Sequence, residues 1–369
     1  MNRLLLPGLC LGLITVTLGG TASAQHKDTA KLLESLRKQH ELPALAAVVI
    51  YDGKVVDRGA VGVRKTGDEA PVTIDDAFHI GSCTKSMTAT LAGILIDEGK
   101  IKWESTIAEV LPEFKGKMNK EYEVVTLEQL LQNRGGFPTD PPAAAWERAW
   151  KEVGSVANQR REFIAAALQQ TPAAKPGAEM IYSNQGYTIA AAMLEKVEGK
   201  PWETIIAERI FRPLPMKSAG FGPPGKRGKV EQPWGHTREQ NKSTPIQLDN
   251  PPAISPAGRV HCNMDDFARY VQLHLGSKEV PQLLKPETLR RLHTPPNGGD
   301  YACGWIVVER PWAGGKALMH NGSNNMWFAV MWLAPDRKFA VIAATNTAGE
   351  PAEKSCDEVA AAMIQKWLK

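Results

Sequence analysis

Ser82 and Lys85 stand three residues apart in Phe78-His79-Ile80-Gly81-Ser82-Cys83-Thr84-Lys85. A serine hydroxyl is a weak nucleophile until a base takes its proton, and a lysine amine is such a base only when its surroundings lower its pKa. Met87, Leu91, Ile94 and Leu95 follow with helical spacing, so the pair heads a helix, on which positions i and i+3 share a face. The positive end of the helix dipole and burial both disfavour the ammonium there. The spacing alone is common: Ser35-Leu36-Arg37-Lys38 repeats it and reads as the solvated face of an N-terminal helix.

Two further groups of residues fit acyl-transfer chemistry. Tyr182-Ser183-Asn184 lies between Pro176-Gly177 and an apolar helical run, in a short extended connection that points Tyr182 and Asn184 the same way. A phenol and a carboxamide presented together relay a proton and orient a substrate amide; the structural alternative is a helix cap with the tyrosine packed beneath it. His320-Asn321-Gly322-Ser323 ends a strand-like run. Gly322 permits close approach to the backbone, and the Ser323 amide then joins that of Ser82 as a pair of oxyanion donors. Cys83, one helical step round from Ser82, reads as packing or half of a disulfide, and Trp305, Trp327 and Trp332 suit either an apolar cleft or the core.

The elements that must position these residues fall at both ends of the chain. A helix over 28–40 precedes two β-rich runs, 44–51 and 54–63, joined by Asp52-Gly53 as a hairpin. Helical spacing recurs over 126–131, 162–168, 186–198, 202–211 and 265–275, with a polar, Pro- and Gly-rich stretch over 222–258 that reads as a long loop walling a site. Strand-like runs return over 303–309, 317–321, 326–333 and 339–345, and a helix over 352–368 closes the chain. The expected fold is α+β: one antiparallel sheet of about five strands built from residues 25–80 and 300–369, flanked by the terminal helices. A mainly helical domain over 81–299 is inserted, with the active site between the two.

Composition excludes several classes. The 369-residue chain is 43% hydrophobic and 23% charged, as globular proteins are, and its net charge of +4, with no basic run, does not suggest nucleic acid. Arg3, the apolar run Leu4–Leu18 and Ala22-Ser23-Ala24 have the form of an export leader over residues 1–24, which predicts a periplasmic or secreted protein with no membrane span after processing. Cys83, Cys262, Cys303 and Cys356 then remain and allow two bridges in three connectivities. No Cys-x-x-Cys or His-Glu-x-x-His occurs, so neither a metal nor another cofactor is expected.

Taken in order, these motifs resemble the penicillin-recognising serine hydrolases: class C β-lactamases, D,D-peptidases, D-aminopeptidases and related esterases. The resemblance runs from Leu42 to Lys369. It rests on the Phe78–Lys85 segment, Leu127-Glu128-Gln129-Leu130-Leu131 before Gly135-Gly136-Phe137, Pro176-Gly177 with Tyr182-Ser183-Asn184-Gln185-Gly186-Tyr187, Tyr301-Ala302-Cys303-Gly304-Trp305, and His320-Asn321-Gly322. It implies that Ser82 is acylated, that Lys85 takes its proton, that Tyr182 shares in proton transfer, that Asn184 holds the substrate carbonyl, and that His320 replaces the lysine of β-lactamases. Lys65-Thr66-Gly67 spells that lysine motif but precedes the serine, and reads as a turn. Gln132-Asn133-Arg134 departs from the family pattern without an evident consequence. The expected function is an acyl-enzyme hydrolase of peptides, amides or esters. D-amino-acid peptides are the favoured substrates and cell-wall material is an associated partner; a β-lactamase and a catalytically silent binder of cell-wall fragments are the alternatives.

Overall fold

The computed structural model describes residues 19–239 and 242–368. Most of the export leader, with Cys10, therefore lies outside the described residues. The N-terminal helix Gly19–Gln39 leads into β1 (Ala44–Tyr51) and β2 (Lys54–Gly62), joined by Asp52 and Gly53, both at positive φ as a tight hairpin turn requires. Next come β3 (Phe78–His79), β4 (Gly220–Phe221), β5 (Gly235–Glu239), β6 (Lys242–Ile246) and β7 (Val260–Cys262), with helices between. The chain then forms β8 (Ile306–Arg310), β9 (Gly315–Ser323), β10 (Phe328–Ala334) and β11 (Phe339–Thr345), and ends in the helix Glu350–Trp367.

The main sheet is antiparallel in the order β2-β1-β11-β10-β9-β8, six strands rather than about five. Its two ends of chain meet where β1 pairs with β11, Val48 opposite Ile342. Both faces are covered, and this explains why β1 and β11 read as unbroken apolar runs instead of alternating. Leu45, Ala47, Val49, Val341 and Ala343 pack with Leu33 and Leu36 of the first helix and Val359 and Met363 of the last. Ala46, Val48, Ile50, Met331 and Ile342 face the helices of the middle of the chain. Successive side chains of a strand alternate between faces, so each strand serves both cores.

The 222–258 stretch is more ordered than a loop. It contains the β5–β6 hairpin and the short turns Pro252–Ile254 and Ser255–Gly258. Its polar sequence is that of a two-stranded ribbon with little apolar surface to bury, which removes the alternation by which strands are read. The two disulfides allowed by the cysteine count are not formed: Cys83, Cys262, Cys303 and Cys356 are each free and buried. Cys83 is packing, its thiol directed at the His320 carbonyl 3.5 Å away. Among the described residues no helix is long and apolar enough to cross a membrane.

The helices of the middle are tied by one buried cation. Arg160, on the helix Val156–Ala167 and fully buried, pairs with Glu195 of the helix Asn184–Glu198 and with Glu203, 2.6 Å away, on Trp202–Ile206. Its Nε also donates to the Ala253 carbonyl at 3.3 Å. Truncation would leave two half-buried carboxylates facing each other. Arg160→Ala is therefore expected to lower unfolding free energy by about 3–5 kcal/mol, read by urea titration; a change below about 1 kcal/mol would contradict this role.

Candidate active site

Ser82 lies in a single 3₁₀ turn, Gly81–Cys83, between β3 and the helix Thr84–Asp97. The Ile80 amide donates to the Val260 carbonyl of β7 at 3.0 Å, fixing the entry to that turn. Gly81 has φ +50°, and a Cβ there would lie 2.4 Å from the Ser323 amide nitrogen. A Cβ on Gly322 would lie 2.4 Å from the Ser82 amide nitrogen and 2.2 Å from the Ile80 carbonyl oxygen. Only glycine fits at either place. The Ser82 turn and the end of β9 thus meet backbone to backbone, bringing the amides of Ser82 and Ser323 to one spot. A third glycine, Gly304 at φ +77°, packs the Tyr301–Trp305 turn on Lys85 and Ser86, where a Cβ would be 2.6 Å from the Ser86 Cα.

Lys85 is fully buried on the first turn of the helix. Its Nζ lies 3.1 Å from Ser82 Oγ, 2.7 Å from Asn184 Oδ1 and 2.8 Å from the Ala257 carbonyl oxygen. Burial pushes its pKa down to about 7, so a large fraction of the amine is neutral at neutral pH. A neutral amine has two N–H donors and one lone pair. Asn184 and Ala257 are pure acceptors here and take the two donors, which leaves the lone pair for the Ser82 O–H. The three contacts therefore select the direction of proton transfer.

The Tyr182 phenol lies close enough to Ser82 to interact with it, and burial keeps its pKa well above the ordinary value. Its ring lies 4.6 Å from Lys85 Nζ. The segment that carries it is held by Asn133, at φ +54°, whose Oδ1 accepts from the Ser183 amide at 3.1 Å and whose carbonyl accepts from the Ile181 amide at 2.8 Å. Ser183 caps the following helix in position only: it is extended, and its hydroxyl turns to the Pro138 carbonyl at 3.0 Å. Arg134 supports the same segment by donating to the Gly177 and Ala178 carbonyls. The unexplained Gln132-Asn133-Arg134 departure thus acts on the placement of Tyr182 and Asn184.

His320 projects from β9 on the Leu318 face and is 2% exposed. Its Nδ1 is 2.5 Å from the Asn321 carbonyl oxygen and its Nε2 is 3.1 Å from the Tyr301 hydroxyl. A carbonyl only accepts, so Nδ1 carries the proton and Nε2 accepts from Tyr301. Burial, then the Lys85 charge, push the imidazole pKa down to about 3. His320 is neutral. Tyr301 is the residue sequence reasoning missed: its motif was visible, but the signal for its role is its contact with a histidine nineteen positions away. Its ring stands edge-on to that of Tyr182, centroids 6.4 Å apart.

The seven residues named from sequence therefore converge, with Ser82, Lys85, Tyr182, Asn184 and His320 around one point and Gly322 and Ser323 at its edge. The tryptophans do not. Trp305 packs on His274, and Trp327 meets Phe78 edge-on, both inside the core. Trp332 lies on the opposite face of the sheet against Trp312. Lys65-Thr66-Gly67 is a turn, with Gly67 at φ +83°.

The chain matches the Beta-lactamase family model over residues 29–363. Penicillin-binding protein 4 of Amycolatopsis lactamdurans is 25% identical over 338 residues, 88% of this chain and 85% of that protein. Protein flp of Staphylococcus aureus is 22% identical over 89% of this chain, which spans 64% of that longer protein. The D-alanine carboxypeptidase AmpC of Burkholderia cenocepacia superposes with a TM-score of 0.73 at 21% identity, covering 92% of this chain and 99% of that one. With the motifs in order, the sheet closed from both chain ends and the match spanning nearly all of the described residues, the chain belongs to the Beta-lactamase family of penicillin-recognising serine hydrolases.

Proposed function

We propose that the protein is an exported hydrolase that cleaves peptides, amides or esters through an acyl-enzyme on Ser82, with D-amino-acid peptides as the favoured substrates. The observation that carries this is the buried Lys85 amine, whose two donors are occupied and whose lone pair faces the Ser82 hydroxyl. Lys85 takes the serine proton as Oγ attacks the substrate carbonyl. The amides of Ser82 and Ser323 receive the negative charge that develops on the carbonyl oxygen. Asn184 has committed its oxygen to Lys85, so its NH₂ is the group that orients the substrate. Tyr182, protonated at neutral pH, passes a proton to the leaving group, and with Lys85 forms one coupled unit that later activates the deacylating water. The leader-like N-terminal sequence and the likeness to a D-alanine carboxypeptidase support the choice of substrate class. His320 offers no cation where β-lactamases hold a lysine, which argues against efficient β-lactam turnover.

Intact-mass spectrometry of the protein with a β-lactam and, separately, a fluorophosphonate tests this. A single adduct with each reagent is expected, absent in Ser82→Ala, and the β-lactam adduct should persist for many turnover times of a β-lactamase. Rapid loss of that adduct would make the protein a β-lactamase; no adduct with either reagent would point to a binding role or an occluded site and would overturn the acyl-enzyme reading.

The acylation rate should also report Lys85. The amine acts only when deprotonated, so the rate should rise with pH by about tenfold per unit below pH 7 and level off above it. His320, already neutral, and Tyr182, still protonated, add no second step near neutral pH. A profile flat through pH 7, or one falling as pH rises, would remove Lys85 as the base.

A further inference from the structure

Asp249 sits in the chain between β6 and the Pro252–Ile254 turn, 4% exposed. Its carboxylate accepts from four directions. Oδ2 is 2.8 Å from His79 Nε2 and 3.3 Å from Arg259 Nε; Oδ1 is 2.8 Å from Asn324 Nδ2 and 2.7 Å from the Asn250 amide. Two of these partners lead directly to the meeting of the Ser82 turn with β9. His79 Nδ1 accepts from the Gly81 amide at 3.1 Å, so the ring is the neutral Nε2–H tautomer, holding Gly81 with one nitrogen and Asp249 with the other. Asn324 directly follows Ser323, and its Oδ1 accepts from the Met326 amide at 3.2 Å. One buried carboxylate therefore grips both sides of a junction whose amides, Ser82 and Ser323, come from chain segments some 240 residues apart in sequence.

We propose that Asp249 is a positioning residue for the oxyanion hole: through His79 and Asn324 it sets the distance and orientation between the Ser82 and Ser323 amides. This rests on the acyl-enzyme reading above. Oxyanion donors act only if aimed where the tetrahedral oxygen will be, and a misplacement of about 1 Å costs roughly a hundredfold in rate. Hydrogen bonds to a buried carboxylate are shorter and stronger than neutral ones, so this brace resists such drift better than a neutral side chain. Both His79 ring nitrogens are engaged, by Asp249 and by the Gly81 amide, so the Asp249–His79 pair is a brace rather than a proton relay. The segment over 222–258 thus acts on the site through Asp249 as well as through the Ala257 carbonyl that holds Lys85.

The test uses Asp249→Asn, and, one arm at a time, His79→Gln and Asn324→Ala. Each is measured for melting temperature, for second-order acylation of Ser82 by an activated ester, and for affinity toward phenylboronic acid, whose tetrahedral Ser82 adduct places an oxygen in the hole. The expected result is a fall of about ten- to a hundredfold in acylation rate and a parallel fall in boronate affinity, with the folded fraction at assay temperature unchanged and the pH midpoint still near 7. If Asp249→Asn does not fold, the two single-arm variants carry the test. Acylation and boronate affinity equal to those of the unaltered protein in the folded variants would overturn the proposal, as would losses fully accounted for by unfolded protein. If the unaltered protein itself is not acylated at Ser82, both this inference and the acyl-enzyme reading fall; acylation there with unaffected variants removes this inference alone.

Discussion

A lysine amine buried among uncharged partners sets the terms for this molecule. Lys85 has a hydroxyl, a carboxamide oxygen and a main-chain carbonyl around it, none of which offsets a positive charge as a carboxylate would. In such a place the neutral amine is favoured, and a group that is ordinarily a spectator ammonium becomes a base near pH 7. Each partner is then a demand on a different part of the chain. Ala257 is placed by the Ser255–Gly258 turn, which follows the Pro252–Ile254 turn where Arg160 holds the Ala253 carbonyl; Asn184 is placed by a segment pinned on Asn133; Ser82 is placed by the Gly81 turn.

The second constraint is how closely two main chains approach. An oxyanion hole needs two amides a few ångströms apart, and side chains would hold them away. Gly81 and Gly322 remove that obstacle on both sides, at the cost of a flexible backbone. Flexibility there has to be countered by something rigid. The sheet does part of this, since β9 is paired with β8 and β10 on its two edges. What lies beyond the last paired residue of β9 is braced by side chains instead, chiefly by the buried carboxylate of Asp249.

Much of this was legible because it is local. Ser82 and Lys85 are neighbours on one helical face, Tyr182 and Asn184 flank one extended residue, and the Asp52-Gly53 turn is written in two residues. The inner strands β1 and β11 were readable for the opposite reason, their unbroken apolar runs reporting burial on both faces. What escaped notice depends on contacts between distant parts of the chain. Asn133 holds the Tyr182 segment from fifty residues away, Tyr301 donates to His320 Nε2 from nineteen residues away, and Asp249 lies in a stretch whose polarity hid a hairpin. The cysteines misled in the same way: an even count permits bridges, but Cys83 is enclosed beneath the sheet against the His320 carbonyl. Single residues in polar stretches carry no periodicity, so nothing in the sequence distinguishes a buried brace from a solvated surface group.

His320 shows how these constraints act together. A lysine there would bring a second amine close to Lys85, and two neighbouring ammonium groups in a dry site are costly. One would have to lose its proton, and the pKa of the base would then depend on the occupant of its neighbour's site. The neutral imidazole avoids that coupling, because its Nδ1–H is taken by Asn321 and its Nε2 by Tyr301. Of Lys85, Tyr182 and His320, Lys85 is then the one whose pKa lies near neutral pH. The same exchange changes what the cleft can select. On the proposed reading, discrimination then falls to shape, to the Asn184 amide and to the two backbone donors, which suit an acyl group and do not require a carboxylate.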